Sequence, residues 1–128
     1  GFAGHSDADV LTHALCDALL GAIAEGDIGK HFPDNDDSFK NIRSLLLLDE
    51  VVKKTASRGF TLANADITVI CQKPRLAPHI GGMREKLAKH CKVDIGRINI
   101  KATTTEKMGY TGRAEGISCH AVVLLEYA

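Results

Sequence analysis

The order of the predicted secondary-structure elements indicates an α+β fold in which helices cover one face of a mixed β-sheet. Apolar residues recur at the helical period in two early segments and then at alternating strand and helical periods, which gives the order α-α-β-α-β-β. The chain has 128 residues, close to the usual size of one domain, and it contains no internal repeat or low-complexity segment. We therefore expect residues 1–128 to form a single domain around one core.

The composition is that of an ordinary globular protein. Hydrophobic residues make up 45% and charged residues 25% of the sequence, and the 16 basic side chains balance the 16 acidic ones. Neither a nucleic acid nor a membrane surface is therefore predicted as a partner. The longest apolar run, Leu45–Leu48, is far short of the ~20 residues that cross a bilayer. The four cysteines include no Cys-x-x-Cys pair, which predicts reduced thiols in a cytosol-like compartment.

Three helices are predicted from apolar periodicity and from residues that begin or end helices. They are expected over Asp7–Glu25, Asn41–Arg58 and His79–Cys91. Ser6 is the predicted N-cap of the first helix, and Gly26 is the left-handed residue expected just beyond its end. Between the first two helices, the acidic stretch from Asp27 to Asp37 is rich in turn-forming residues and is interpreted as a surface loop.

Three strands are predicted to form the sheet. They are expected over Leu62–Cys71, Arg97–Ala102 and Gly116–Glu126. The last strand is apolar on both sides, because Val122 and Leu124 alternate with the apolar residues of the other face. A sheet with two apolar faces and helices on only one of them predicts a partner subunit on the other.

The first candidate site lies at the start of the first helix and continues to His13. Ser6 and the free amides of the first turn form a potential anion site, to which His5 adds a hydrogen bond or a positive charge. Asp9, His13 and Asp17 recur every four residues and share one helix face, an arrangement typical of a metal-binding histidine beside an orienting carboxylate. A capped helix with surface histidines is the alternative, because one histidine cannot hold zinc by itself.

The acidic loop after the first helix is a second candidate. Asp27 with the amide of Gly29 suits the recognition of vicinal hydroxyls, and Asp34 and Asp36 end the same loop. A solvated loop without a ligand is the alternative interpretation.

Two later segments suit phosphate recognition. Thr103–Thr105 directly follow a predicted strand, and Glu106 is a hard oxygen ligand suited to magnesium bridging phosphate oxygens. Arg113 offers a bidentate fork to a phosphate. The alternative for Thr103–Thr105 is a simple strand end. The alternative for Arg113 is an ion pair with Glu115.

In this order and spacing, these segments resemble one family, the 2-C-methyl-D-erythritol 2,4-cyclodiphosphate synthases of the non-mevalonate isoprenoid pathway. The matching stretches are His5–Val10, His13–Leu15, Asp17–Gly21, Gly26–Gly29, Phe32–Asp34, Pro78–Ile80, Lys101–Lys107 and Thr111–Arg113. They span nearly the whole chain. An unrelated trimeric α+β protein with accidental matches is the weaker alternative, because many concordant motifs would have to arise by chance.

The resemblance implies a cyclising phosphorus–oxygen lyase. Such an enzyme converts 4-diphosphocytidyl-2-C-methyl-D-erythritol 2-phosphate to 2-C-methyl-D-erythritol 2,4-cyclodiphosphate and releases CMP. The resemblance also implies a homotrimer whose sheets face inward and whose active sites lie at the subunit interfaces. The expected location is the bacterial cytoplasm, or the plastid stroma in a eukaryote.

The resemblance assigns roles to individual residues. His5 and Thr104 are expected to support the transition state, His13 to bind Zn²⁺, and Glu106 to hold the Mg²⁺ or Mn²⁺ that bridges the substrate phosphates. The expected substrate-binding residues are His5, Ser6, Asp27, Ile28, Gly29, Phe32, Pro33, Asp34, Asn35, Asp36, Cys71, Gln72, Lys73, Pro74, Arg75, Leu76, Ala77, Thr103, Thr104, Thr105, Glu106, Tyr110 and Arg113.

Within that set, each segment is expected to hold a different part of the substrate. Asp27–Gly29 would hold the ribose hydroxyls, and Phe32–Asp36 would close over the methylerythritol end. Cys71–Ala77, together with Thr103, would frame the cytosine.

Two features depart from the family pattern. The family's other two zinc ligands come from an Asp-x-His motif ahead of the His5 helix, and the 128 residues contain no such triplet. We therefore expect a preceding strand to be missing, and the 128-residue chain to bind zinc poorly and to have little activity. A non-catalytic trimeric nucleotide-binding module is the alternative for this chain. In addition, His120 stands where many relatives place an acidic residue near the trimer axis.

Overall fold

Helices pack on one face of a three-stranded sheet in the computed structural model, which describes residues 4–33, 43–71, 77–103 and 117–128, without the side chains of residues 4–7 and 77. The helices are α1 (Gly4–Ala22), α2 (Ile28–His31), α3 (Ser44–Ser57) and α4 (Ile80–Cys91), and the strands are β1 (Phe60–Ile70), β2 (Ile98–Thr103) and β3 (Ser118–Tyr127). Single 3₁₀ turns at Ala77–His79 and Ile95–Arg97 lie on either side of α4. The predicted α+β class is confirmed.

The sheet is mixed, as predicted, with β1 in the centre. Its strand order is β2-β1-β3; β1 pairs in parallel with β2 and antiparallel with β3. Because β1 and β2 run in parallel, their carboxyl ends meet at the same edge of the sheet, where Ile70 is the register partner of Thr103. The first residue of β3, Ser118, also pairs with Ile70, so all three strands contribute to this edge.

The core lies between the sheet and the helices. Alternate residues of β1, namely Ala65, Ile67 and Val69, are fully buried and point to the helix side. Leu15 and Leu19 of α1 belong to the same cluster of buried residues. Replacing one such leucine by alanine typically costs 2–5 kcal/mol, so each of these contacts is a large fraction of the stability of a small domain.

The first helix begins earlier and ends earlier than predicted. It starts at Gly4 rather than Asp7, so Ser6 lies inside the first turn and the prediction of Ser6 as N-cap is wrong. At the other end, Glu25 N donates to Leu20 O over 2.9 Å and Ala24 N donates to Gly21 O over 3.0 Å. This is a Schellman ending in which Ala24, at φ 57°, takes the left-handed position expected of Gly26.

A short helix replaces part of the predicted surface loop. The helix α2 covers Ile28–His31 and begins at Asp27, whose extended backbone and side-chain oxygen form a standard N-cap. The prediction of an irregular loop is therefore wrong for these four residues. The remaining loop positions, 34–37, lie outside the described residues, as do positions 41 and 42 of the predicted second helix.

The face of the sheet opposite the helices is apolar only along β3. Val122 and Leu124 are 71% and 65% exposed there. On β1 and β2 the same face carries Asp66, whose carboxylate accepts hydrogen bonds of 2.9 Å from Asn99 and Lys101. The prediction of two apolar faces therefore holds for β3 and is wrong for the rest of the sheet. Among the described residues, no helix is both long and apolar enough to cross a membrane.

Candidate active site

Two of the segments expected to bind substrate leave the sheet side by side. Cys71 follows β1 and Thr103 ends β2, and the amide of Cys71 donates to the carbonyl oxygen of Thr103 over 3.0 Å. Cys71 is buried while Thr103 is exposed, so the threonine side chain is accessible at the sheet edge. The parallel pairing of β1 and β2 thus brings together the starts of segments that are about 30 residues apart in the chain.

The exposed face of α1 carries His13 between two carboxylates. Asp9 and Asp17 lie one helical turn before and after it, and all three side chains are exposed. Asp9 Oδ1 accepts a hydrogen bond of 2.5 Å from Ser44 Oγ at the start of α3. Asp17 Oδ1 accepts one of 2.9 Å from the amide of Ile28 at the start of α2. The predicted shared face is present, but the hydrogen bonds of its carboxylates go to later helices and not to His13.

The Asp27–Gly29 turn is held by the carboxylate of Asp27 as well as by that of Asp17. Asp27 Oδ1 accepts from the amide of Lys30 over 2.9 Å, which satisfies one of the free amides of a helix start. Ile28 is partly buried against the core. Asp27 and Gly29 are both exposed, and a Cβ built on Gly29 would lie 3.5 Å from Asp27 Oδ1, so the two residues share this part of the surface.

The segment between α1 and α2 is held by contacts close to the end of α1. Gly26 has φ +81°, a left-handed conformation that favours glycine, and a Cβ built there would lie 2.8 Å from Lys30 Cδ, so the lysine side chain would have to move. The His31 ring nitrogen Nε2 donates to the carbonyl oxygen of Glu25, and Arg58 Nη1 pairs with Glu25 Oε1 over 2.7 Å. Phe32 and Pro33, which follow, are half-buried.

His13 is the candidate metal ligand among the described residues of this site. His13 presents an exposed imidazole, but within the described ranges no group of three or more His, Cys, Asp or Glu side chains is arranged to hold a metal ion. A zinc site takes three or four protein ligands. The imidazole therefore fits one position of such a site, and further ligands have to come from outside the described residues.

Other predicted site residues lie outside the part of the chain that the structure describes. They are the side chains of His5, Ser6 and Ala77, and the residues Asp34, Asn35, Asp36, Gln72, Lys73, Pro74, Arg75, Leu76, Thr104, Thr105, Glu106, Tyr110 and Arg113. Of the described members of the set, the structure places His13 and the Asp27–Gly29 turn on adjoining elements, and Cys71 and Thr103 at the sheet edge.

Three of the four cysteines, Cys16, Cys91 and Cys119, are poor nucleophiles because burial raises the pKa of their thiols. Burial, reinforced by Cys91 and Asp17, raises the pKa of Cys16 to about 12, and burial, reinforced by Asp49, raises that of Cys91 to about 12. Burial also raises the pKa of Cys119 to about 11. These thiols stay protonated at neutral pH, and a protonated thiol is a poor nucleophile and metal ligand.

A cleft of about 380 Å³ lies between α1, α3 and α4. Asp9 and Ser44 line it, together with apolar residues that include Leu11, Met83 and Leu87. None of the residues expected to bind substrate lines this cleft. His13, Gly29 and Thr103 are instead exposed to solvent in the single chain.

The sequence did not reveal the partners of Asp9 and Asp17. Ser44 is 35 residues from Asp9, and no local pattern connects them. The N-cap role of Asp27 did have a local signal, since an aspartate directly before Ile28 and Gly29 is a common helix start. That signal was outweighed by the loop-forming composition of the segment.

Comparison with known proteins gives a consistent result along the whole chain. Residues 1–126 match the model of the YgbB family. The chain is 60% identical over 128 residues to the 2-C-methyl-D-erythritol 2,4-cyclodiphosphate synthase of Syntrophotalea carbinolica, and the match covers 100% of this chain and 78% of that protein. It is 65% identical over 126 residues to the bifunctional enzyme IspD/IspF of Desulfotalea psychrophila, with 98% of this chain and 33% of that protein covered.

A solved structure supports the same relationship at the level of the fold. The structure of IspF from Plasmodium falciparum in complex with CDP superposes with a TM-score of 0.81 at 28% identity, over 92% of this chain and 70% of that one. The chain therefore belongs to the YgbB family, to which the 2-C-methyl-D-erythritol 2,4-cyclodiphosphate synthases also belong.

Proposed function

We propose that this protein is a cyclising lyase that converts 4-diphosphocytidyl-2-C-methyl-D-erythritol 2-phosphate to 2-C-methyl-D-erythritol 2,4-cyclodiphosphate and CMP. The observation that carries the proposal is the 60% identity across the full chain to a synthase of that name. The described geometry is compatible with it, because His13, the Asp27–Gly29 turn and Thr103 are all accessible at the surface.

The reaction is an intramolecular phosphoryl transfer. An oxygen of the 2-phosphate attacks the β-phosphorus, and the bond from that phosphorus to the oxygen shared with the α-phosphate breaks. CMP leaves with the electron pair, and the new P–O bond closes the ring. The nucleophile is already an anion and needs no strong base, so catalysis consists of positioning the two ends of the substrate and neutralising their charge.

The nucleotide end of the substrate is assigned to two described segments. Asp27 offers a free carboxylate oxygen as acceptor and Gly29 an amide as donor, which together suit two vicinal ribose hydroxyls. Thr103, with the segment that begins at Cys71, is assigned to the cytosine. A solved relative whose structure is a CDP complex supports a cytidine nucleotide as the bound group.

Two metal ions are part of the proposal. His13 would be one ligand of Zn²⁺, and Glu106 would hold Mg²⁺ or Mn²⁺. When bound, these ions supply positive charge that neutralises the phosphates. The remaining work, which is to hold the sugar and the base and to exclude water, belongs to the side chains of the protein.

We further propose a homotrimer with active sites at its interfaces. The open surface around His13 and Gly29 supports this, because a second subunit is needed to enclose a substrate there. The exposed Val122 and Leu124 on the uncovered sheet face also support it. The bacterial origin of the relatives supports a cytoplasmic location, with the plastid stroma as the eukaryotic alternative.

The test of the proposed reaction is the identity of its products. The natural full-length protein is incubated with the diphosphocytidyl substrate and Mg²⁺, and the products are followed by ³¹P NMR. We expect CMP and a cyclic diphosphate in equal amounts. An open-chain product formed by hydrolysis, or unchanged substrate, would refute the proposed cyclisation.

A non-catalytic nucleotide-binding module is the second candidate, and the likeness to a solved relative in complex with CDP is compatible with it. Calorimetric titration with CDP distinguishes the two. CDP binding by the 128-residue chain without any release of CMP from the substrate would favour the module, whereas turnover by the same preparation would exclude it.

A further inference from the structure

We propose that Asp17 is a positioning residue for nucleotide recognition: it fixes the Asp27–Gly29 turn to the helix that carries His13. This inference rests on the proposed function, because it takes the turn to be the ribose-binding element. It adds a role for a residue that does not itself contact substrate.

The geometry centres on one hydrogen bond between two helices. Asp17 Oδ1 accepts from the amide of Ile28 over 2.9 Å, and Asp27 Oδ1 accepts from the amide of Lys30 over 2.9 Å. Two carboxylates therefore take the amides on either side of Gly29. The Gly29 amide between them has no hydrogen-bond partner among the described residues, so it stays available to a ligand in the orientation that its neighbours set.

The helix α2 needs such support from outside. It has four residues, and a helix of that length is not stable by itself because its few internal hydrogen bonds do not offset the cost of nucleation. Asp17, by contrast, belongs to a helix of 19 residues. The residue before it in that helix, Cys16, is fully buried. The carboxylate thus connects a marginal turn to a rigid element.

The other contacts of the segment between α1 and α2 hold a different part of it. Glu25 is held by His31 and Arg58, which fixes the base of the turn, where α1 ends. The bond from Asp17 instead reaches the first residue of α2. It starts four residues after His13 on the same face of α1, so it also sets the distance between the turn and the imidazole.

The test compares Asp17→Ala and Asp17→Asn in the natural full-length protein. Asp17 is exposed and alanine is the best helix former, so both variants are expected to fold. Asparagine keeps an oxygen that can accept the Ile28 amide. We expect the Kd for CDP, measured by calorimetry, to rise about tenfold in Asp17→Ala, equivalent to about 1.4 kcal/mol, and less than threefold in Asp17→Asn.

Asp49→Ala is the matched control. Asp49 also makes a hydrogen bond between two helices, of 2.7 Å to His90 Nδ1, but at a distance from the turn. Loss of this hydrogen bond in Asp49→Ala is expected to lower the Tm about as much as Asp17→Ala does, without changing the Kd for CDP. Turnover of the substrate should show a larger rise in KM than fall in kcat for Asp17→Ala, because the turn is proposed to contact the ribose and not the reacting phosphates.

The outcomes separate this inference from the proposed function. If the wild-type protein binds CDP and a folded Asp17→Ala binds it equally well, the positioning role is refuted. It is equally refuted if Asp49→Ala loses as much affinity as Asp17→Ala, since the effect is then one of stability. Failure of the wild type to bind CDP refutes the proposed function instead. Should Asp17→Ala not fold, Asp17→Ser, whose side chain is too short to reach Ile28, takes its place against Asp17→Asn.

Discussion

Single side chains near His13 show how the surface of α1 is used. Asp9 and Asp17 lie one turn before and after the histidine, and each holds the first residue of a later helix, Ser44 or Ile28. The imidazole therefore stands between two fixed points rather than on a free helix face. Any ligand that bridges His13 and the Asp27–Gly29 turn meets groups whose separation is already set, which lowers the ordering cost of binding.

The buried thiols give the first prediction. Because burial raises the pKa of Cys16 and Cys91 to about 12, their reactive thiolate forms are scarce until the pH approaches that value. We expect iodoacetamide to modify both residues at pH 8 at least a hundredfold more slowly in the native protein than in urea. Peptide mass mapping over time measures this.

The control compares how the labelling rate depends on pH in the native and in the unfolded protein. Native labelling of Cys16 and Cys91 should rise steadily between pH 8 and pH 10, and labelling of the unfolded chain should level off above the ordinary thiol pKa of ~8.5. Rapid modification of either residue in the native protein at pH 8 would contradict the buried positions of these thiols.

For single residues, the sequence predicted which helix face a side chain lies on, because that follows from local periodicity. It did not predict hydrogen bonds to residues far away in the chain. The exposed position of His13 and its shared face with Asp9 and Asp17 followed from four-residue spacing. The hydrogen bond from Ser44 to Asp9 joins residues 35 positions apart, so it depends on how α1 and α3 pack. No pattern in either segment carries that information.

Two helices end without the glycine that helix ends favour. Both α1 and α4 end at a non-glycine residue in the left-handed conformation, Ala24 at φ 57° and Lys92 at φ 60°. In each case the following amide reaches back to the last turn, from Glu25 to Leu20 and from Val93 to Ala88. Ends of this kind are set by the tertiary path of the chain and override the preference for glycine.

Ala24→Gly is therefore predicted to stabilise the protein. An alanine in the left-handed region carries a steric cost of roughly 1 kcal/mol that glycine does not. We expect the free energy of unfolding, from urea denaturation followed by circular dichroism, to rise by about 0.5–1 kcal/mol.

Ala22→Gly, two residues earlier and still inside α1, is the matched control. There glycine only adds flexibility, and the free energy of unfolding should fall by roughly 0.5–1 kcal/mol. A fall of similar size in both variants would show that Ala24 is not held in the left-handed conformation in solution.

Strands were predicted more closely than helix ends. All three strands lie within two residues of their expected bounds, because alternation along Ala65, Ile67 and Val69 identifies the buried face directly. The short helix α2 was missed because its four residues are too few to show a period. Its only local signal is the N-cap at Asp27.

At the scale of the molecule, none of the described helices covers the second face of the sheet, and the chemistry of that face differs between its strands. Val122 and Leu124 form an apolar strip on the edge strand β3. Asp66, Asn99 and Lys101 form a hydrogen-bonded polar strip beside it. The hydrogen bonds from Lys101 and Asn99 lower the pKa of Asp66, so the carboxylate stays charged to a lower pH than usual. A partner on this face has to match both strips.

Val122→Lys is predicted to disrupt the proposed trimer. A lysine in the apolar strip would place a charge in the interface, which is costly when it is unpaired. We expect sedimentation velocity of the full-length variant to show monomers at concentrations at which the wild type is trimeric, with circular dichroism unchanged. Leu46→Lys, an equally drastic change at an exposed leucine of α3, should leave the trimer intact. A trimeric Val122→Lys would exclude this face from the interface.

The metal-dependent closure of a cyclic diphosphate proposed for this protein is tested most directly by the initial rate of CMP release from the diphosphocytidyl substrate. The natural full-length protein is assayed as purified, after treatment with a chelator, and after Zn²⁺ and Mg²⁺ are restored. We expect steady release of CMP that the chelator abolishes and the two ions restore, and an initial rate at least a hundredfold lower in His13→Ala. Absence of CMP under all conditions, or release that is indifferent both to the chelator and to His13, would contradict the proposal.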